Sequence, residues 1–236
     1  MSTNDFNLFE ALSIEPVYDP PQRFLEPFYL FADRISSLQR YFEYTNTCVI
    51  SYLKRSRQSL ENLERGQATS AEEFDMHYEV TISDEEYFPD YLRGSVLSHV
   101  FTLLENLLVD VADEAAGILG AGVELPNKTM PYINKYMFYL QQTCGLAITI
   151  DKKTWKTIDA LRELRNRDIH RLNRDLPDTI RQQLGDSLIS GARFDVQIND
   201  GFVHEAFTVI GDLAHALDEA FWTFSDAQAS PPTDST

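Results

Sequence analysis

Residues 92–111 read LRGSVLSHVFTLLENLLVDV. Leu92, Val96, Val100, Leu103, Leu107 and Val111 recur at steps of three and four, the spacing that aligns apolar side chains along one face of an α-helix. Gly117, Gly120 and Gly122 end the run. The same reading extends outward. Residues 22–66 predict one long helix or two, with Pro27 near the start and a turn over 66–70. Residues 71–87 are acidic and mixed in pattern and match no element, so the strong helix starts at Pro89. Residues 126–129 open a shorter helix carrying Tyr132, Ile133, Tyr136, Met137 and Leu140, which Gly145 breaks. Asp151 is a plausible N-cap for a helix running to about Leu172. A short helix is expected within 176–190; Arg193 to Ile198 alternate weakly, and Asn199-Asp200-Gly201 signals a turn. Val203, Phe207, Ile210, Ala214, Leu217, Phe221 and Phe224 keep heptad-like spacing in a last helix.

The expected fold is therefore all-α, a helical bundle of four to five main helices with an N-terminal helical extension. Residues 1–21 read as a flexible arm, 22–87 as the extension, 88–226 as the helical domain, and 227–236, rich in Ser, Pro and Thr, as a disordered tail.

Composition narrows the function classes. With 236 residues and 43% hydrophobic content the chain can bury a sizeable core. Cys48 and Cys144 are too few for a disulfide framework and are expected to be buried free thiols. No leader pattern is present and no apolar stretch nears the ~20 residues of a membrane span, so a cytoplasmic protein without membrane attachment is expected. The net charge of −17 argues against general affinity for nucleic acid. Its distribution is uneven, however. Residues 151–181 hold nine basic and six acidic side chains, a local net of +3, whereas the other 205 residues carry 11 basic and 31 acidic, a net of −20.

That basic segment contains Leu161-Arg-Glu-Leu-Arg-Asn-Arg-Asp-Ile-His-Arg171. At about 100° per residue, Ile158, Leu161, Leu172 and Ile169 fall within roughly 40° of Arg165, so Arg165 stands in the middle of an apolar stripe. Asn166 and His170 lie at its edge, one turn apart. A guanidinium there is costly unless compensated. It pairs with a carboxylate, for which Glu105 inside the apolar run 103–108 is the candidate, or it faces a second subunit, or it lines a cleft that receives a phosphate. The last reading has a chemistry. RNA carries its own nucleophile, the 2′-OH. A site needs only to take that proton, stabilise charge on the phosphate and protonate the leaving 5′-oxygen. Histidine suits the proton transfers, with an ordinary pKa of about 6.5. Arginine suits the phosphate through bidentate, charge-assisted hydrogen bonds. An amide orients either. One helix offers one histidine; a symmetric dimer supplies a second.

Arg165-Asn166-Arg167-Asp168-Ile169-His170 resembles the R-x4-6-H motif of the HEPN superfamily, in its form with a polar residue after the arginine. WKTIDALRELRNRDIHR is similar to the helix that carries that motif, and VLSHVFTLLENLLVDVAD to an earlier helix in which a glutamate within an apolar run is frequent. The resemblance spans roughly residues 90–225. It implies a dimeric helical bundle acting as a metal-independent endoribonuclease, often a toxin or phage-defence effector. Arg165 and His170 would be the essential pair and Asn166 the supporting polar residue. Arg162, Arg167, Arg171 and Arg174 are the candidate RNA contacts, no cofactor or metal is called for, and an antitoxin or defence-system protein is a candidate partner. One departure stands out: toxins of this superfamily paired with a nucleotidyltransferase often carry a tyrosine two residues after the histidine, where this chain has Leu172. The superfamily also contains inactive members that only bind or dimerise. A further alternative is an acidic antitoxin or immunity protein whose surface mimics RNA.

The remaining features read as structural. His77, His99, His204 and His215 lack partners at metal-ligand spacing. Asp84-Glu85-Glu86 reads as a solvated loop, Trp155 and Trp222 as core, and Phe24, Phe28 and Phe31 as core or dimer contact. Lys54, Arg55 and Arg57 form a second, small basic group, most simply a solvated helix face.

Overall fold

The computed structural model describes residues 18, 23–66, 70–126, 129–170, 178–185, 188–189 and 197–229; at 167–170, 183, 188–189 and 197 the description is of the backbone. The chain is all-α. Its helices are α1 (Glu26–Arg65), α2 (Ala71–Ile118), α3 (Tyr132–Phe138) with a π-helical turn at Tyr139–Thr143, α4 (Lys152–His170), α5 (Asp178–Leu184) and α6 (Asp200–Ala229). Leu188–Ile189 and Gln197–Ile198 form a two-residue antiparallel pairing, Leu188 opposite Ile198.

Backbone contacts divide the described residues into two compact units. The first holds 37–66, 70–98, 163–170, 178–185, 188–189 and 197–204; the second holds 18, 23–36, 99–126, 129–162 and 205–229. Helices α1, α2, α4 and α6 each contribute a segment to both units.

In the first unit α1 and α2 pair as an antiparallel helical hairpin. Tyr52 donates its hydroxyl proton to Asp84, Ser56 and Thr81 share a hydrogen bond of 3.1 Å, and Arg57 clasps Glu85 through two nitrogens. The Tyr52 and Phe88 rings stand 5.7 Å apart, and Leu60 is buried. These contacts hold residues 81–88 in a helix, and Ser70 Oγ, accepting from Glu73 N–H at 3.2 Å, caps its start at Ala71, eighteen residues before the expected start at Pro89. A proline inside a helix forfeits one backbone hydrogen bond and costs about 3 kcal/mol. Here the residues just before it are held helical by α1, so the helix runs through. Asp84, Glu85 and Glu86 accordingly sit within α2, with Glu86 buried, and not on a solvated loop.

In the second unit the stripe continues as expected. Val100, Leu104, Leu107, Leu108 and Val111 of α2 are fully enclosed, Leu92 and Val96 are buried in the first unit, and Leu103 is partly covered. By length and composition α2 is a candidate membrane span, with an 18-residue window of mean hydropathy 1.4. This corrects the expectation that no stretch approaches that limit; half of the window is buried inside the protein, as in a core helix. α3 begins at Tyr132, after Pro131, and not at 126–129. In the π-helical turn Cys144 N–H bonds back to Tyr139, and Gly145, at φ 78°, adopts a left-handed conformation that lets Leu146 N–H return to Leu140.

α6 supplies Phe207, Ile210, Leu213, Leu217 and Phe221 to the second unit's core, and Phe28 meets Phe221 edge-on at 6.2 Å. Phe31 is buried, but Phe24 is 75% exposed. The expected turn at 199–201 is a helix start: Asn199 Oδ1 accepts from Phe202 N–H at 3.0 Å, and Asp200 is the first residue of α6. α6 also runs on to Ala229, into the stretch expected to be a tail; 230–236 lie outside the described residues.

Within the N-terminal arm only Tyr18 is fully among the described residues up to 22. It is not loose: it is buried against Phe31 (5.8 Å) and His215 (6.5 Å). Arg23 adds a 2.8 Å ion pair with Asp226 and stacks over Trp222. Of the two cysteines, both free thiols, Cys144 is buried as expected while Cys48 is exposed.

Candidate functional site

Helix α4 is built as its sequence dictates. Asp151 caps it: Oδ1 accepts from the backbone N–H groups of Lys153 (2.6 Å) and Thr154 (3.0 Å), and Oδ2 accepts from Thr154 Oγ1 (2.9 Å). The Thr154 backbone N–H, foremost among these donors, holds the Asp151 carboxyl below its ordinary range. Ile158, Ala160, Leu161 and Leu164 are buried, so the apolar stripe faces inward.

Arg165 stands at the border of this inward face, one turn after Leu161. Its side chain is half-buried, with Nε enclosed. Asn166 is also half-buried. The helix is continuous to His170, so the backbone register sets Asn166 and His170 four residues apart, about 6 Å along the axis. The side chains of Arg167 and His170, and residues Arg171 and Arg174 altogether, lie outside the described residues. Arg162 is bound within its own helix, its guanidinium on Asp159 at 2.9 Å and 3.1 Å. Lys152, Lys153 and Lys156 are exposed, Lys153 reaching Glu205 at 3.4 Å. Glu105 is half-buried on α2 in the second unit, whereas Arg165 belongs to the first; both take part in polar or ring contacts.

The first unit holds a polar cluster that the sequence reading passed over. Asp200, at the start of α6, accepts from Arg93 Nε at 2.6 Å and from Asn46 Nδ2 at 2.9 Å. One turn along α6, His204 Nδ1 stands 3.3 Å from Glu43 of α1, with Phe42 edge-on to the imidazole at 5.6 Å. In the sequence His204 has no partner at metal-ligand spacing. The available signal was paired spacing: 42, 43 and 46 share one face of α1, and 200 and 204 share one face of α6. Arg93 has only 13% of its side chain exposed, which marks the Arg93–Asp200 pair as a structural tie.

A second overlooked cluster lies in the second unit. Tyr18 Oη, Asp218 Oδ1 and Trp222 Nε1 are all buried, the Tyr18 hydroxyl and the Trp222 N–H lying beside the Asp218 carboxyl. Burial pushes both the Tyr18 hydroxyl and the Asp218 carboxyl up, while the neighbouring Tyr18, Trp222 and His215 pull Asp218 the other way. Among the described residues no group of three or more His, Cys, Asp or Glu is placed to hold a metal ion. Comparison of the chain with protein-family models, with curated proteins and with solved structures yields no match.

Proposed function

We propose that this chain is a HEPN-like, metal-independent endoribonuclease, acting as a homodimer in a toxin or phage-defence setting. The observation that carries the reading is the continuity of α4: Arg165, Asn166 and His170 belong to one unbroken helix, with the arginine half-buried at the border of its inward face. In the proposed reaction His170 takes the proton from the 2′-OH. The 2′-oxygen attacks phosphorus, the P–O5′ bond breaks, and the departing 5′-oxygen takes a proton from a second histidine, His170 of the other copy. The products are a 2′,3′-cyclic phosphate and a 5′-OH. Arg165 stabilises the charge that builds on the phosphate, and Asn166 orients the imidazole or a phosphate oxygen. Arg162, Arg167, Arg171 and Arg174 would lead RNA to the site through the one basic segment of an acidic chain.

A second reading is a HEPN-like binding or dimerisation module that cuts nothing. The enclosed Nε of Arg165 and the net charge of −17 favour it, since a guanidinium on an inward face also serves as a structural partner, with Glu105 the carboxylate proposed for it. Cleavage of fluorescent RNA in EDTA tests the first reading. Wild-type protein is expected to leave cyclic-phosphate ends and His170→Ala to leave RNA intact; equal activity of the two would sink it.

A further inference from the structure

In the first unit α1 buries one side and leaves the opposite side to solvent. Phe42, Asn46 and Leu60 are buried and fall within about 40° of one another on the helix. Arg40, Tyr41, Tyr44 and Arg55 fall within about 100°, their centre about 160° away from the buried group, with Lys54 at one border. All five are exposed, Tyr41 and Tyr44 by 54% and 44%. The strip is unbroken: positions 37, 40, 41, 44, 47, 48, 51, 54 and 55, which succeed one another at steps of one, three and four, are all exposed. From Arg40 to Arg55 it runs about 22 Å.

For a chain of net charge −17 the strip stands out by what it lacks. Residues 44–60 contain no Asp or Glu; Asp33, four residues before Ser37, and Glu61 mark its ends. The carboxylates along its flanks are engaged: Glu43 is 3.3 Å from His204, and Asp84 accepts from Tyr52. Arg57, outside the strip, is clasped to Glu85. Arg40, Lys54 and Arg55 have no such partner among the described residues. Arg40 donates to Ser37 Oγ at 3.1 Å, and Arg55 Nε to the Ser51 carbonyl of its own helix at 3.2 Å. Charges are screened within about 8 Å, so a ligand on the strip meets mainly these three cations.

Three uncompensated cations suit a polyanion, and the exposed rings say which kind. Tyr41 and Tyr44 offer stacking surfaces for bases that are not paired in a duplex. Ser37, Thr47 and Ser51 add hydroxyls of the kind that meet phosphate and sugar oxygens. An acidic peptide would use the cations and leave the rings idle. An anionic bilayer would need a bulky apolar face, and the strip has no Leu, Ile, Val, Phe or Trp. We infer that the Arg40–Arg55 strip of α1 binds single-stranded nucleic acid, with phosphates on Arg40, Lys54 and Arg55 and bases on Tyr41 and Tyr44. The inference stands whether or not α4 cuts RNA.

The test uses the full chain and a fluorescent single-stranded DNA of about 20 nucleotides, which lacks the 2′-OH and so stays whole under the proposed cleavage chemistry. Anisotropy is expected to show binding at 0.05 M salt. Three phosphate contacts to a single strand give a slope of about −2 in log K against log salt, roughly a twentyfold loss between 0.05 and 0.2 M. The Lys54→Gln and Arg55→Gln double change is expected to weaken binding about tenfold or more and to flatten the slope to about −0.7. The Tyr41→Ser and Tyr44→Ser double change is expected to weaken it about tenfold or more with the slope kept. All four positions are exposed, so the melting temperature should stay in place. Ultraviolet irradiation of the wild-type complex should cross-link the strand to Tyr41 or Tyr44, a readout that needs no variant. The inference is overturned if wild type fails to bind the strand at 0.05 M salt, if either double variant binds as wild type, or if the cross-links fall elsewhere, as on the basic segment of α4. It is also overturned if polyglutamate or phosphatidylserine vesicles bind as tightly as the strand.

Discussion

Replacing Arg165 by alanine separates an arginine that serves RNA from one that serves the fold. The side chain is half-buried and follows the buried Leu161 and Leu164, so its aliphatic stem packs while part of the side chain reaches solvent. Two methylenes, Cγ and Cδ, at about 0.8 kcal/mol each and partly covered, put the stability cost at about 1 kcal/mol. For a chain of 236 residues the unfolding entropy is about 0.5 kcal/mol per degree, so the melting temperature should fall by about 2 °C. A guanidinium whose purpose is a buried ion pair would cost about 3–5 kcal/mol on removal, or roughly 6–10 °C. The catalytic role predicts a different loss, about 100- to 1000-fold in the cleavage rate, as for removal of one donor to a transition-state oxyanion. Arg165→Lys keeps the charge without the planar fork and should recover stability more fully than activity. Melts by circular dichroism and RNA cleavage in EDTA at 15 °C measure both quantities on the same samples. A fall of 6–10 °C with cleavage at the wild-type rate would refute the catalytic assignment and leave Arg165 a structural residue.

Other outcomes follow from the same contacts. Arg93→Ala and Asp200→Ala should each destabilise the first unit, and the double variant should lose less than the two combined by about 1–3 kcal/mol in urea unfolding, because either change leaves the other partner stranded. Asp151→Ala should lower the melting temperature at neutral pH. The carboxyl's folded pKa lies below its unfolded value of 3.8, so this contribution is present above that value and should vanish in scanning fluorimetry as pH falls through the folded pKa. Asp218→Asn should do the reverse. Its carboxyl is raised, so ionisation opposes folding; the variant should melt above wild type at pH 7 and lose that advantage below about pH 4, where both are neutral. Gly145→Ala should cost about 1 kcal/mol, since φ of 78° places Cβ against the backbone.

Much of the fold was legible in residue spacing. The buried stripe of residues 92–111, the inward face of α6 and the Asp151 cap depend on neighbours within one helix, and such neighbours are written in the sequence at steps of three and four. The same local logic set Asn166 one turn before His170, but it put Arg165 in the middle of the apolar stripe, whereas the buried residues of α4 centre on Leu161 and Leu164 and leave Arg165 half-buried at their flank. The misread elements all turned on partners distant in sequence. Pro89 looked like a helix start because nothing local shows that Arg57 and Tyr52 hold Glu85 and Phe88 in a helix before it. Tyr18 looked like part of a loose arm because its pocket is made by Phe31 and by His215, nearly two hundred residues on. Asp200 looked like a turn residue, although Arg93 and Asn46 make it a junction.

By itself the sequence determined the helical class, the inward faces, the one basic segment and the register of Arg165, Asn166 and His170. Each is a property of a single helix, or of a count of charges along it. Only the tertiary structure decided that α1 and α2 form a hairpin through the proline, that Asp200 ties Arg93 to Asn46, and that Met76, Val80 and Tyr91 are exposed. Helical periodicity says that a face is apolar. Which apolar face is buried and which is left to solvent depends on the elements that arrive against it, and those arrivals are set by packing between segments far apart in the chain.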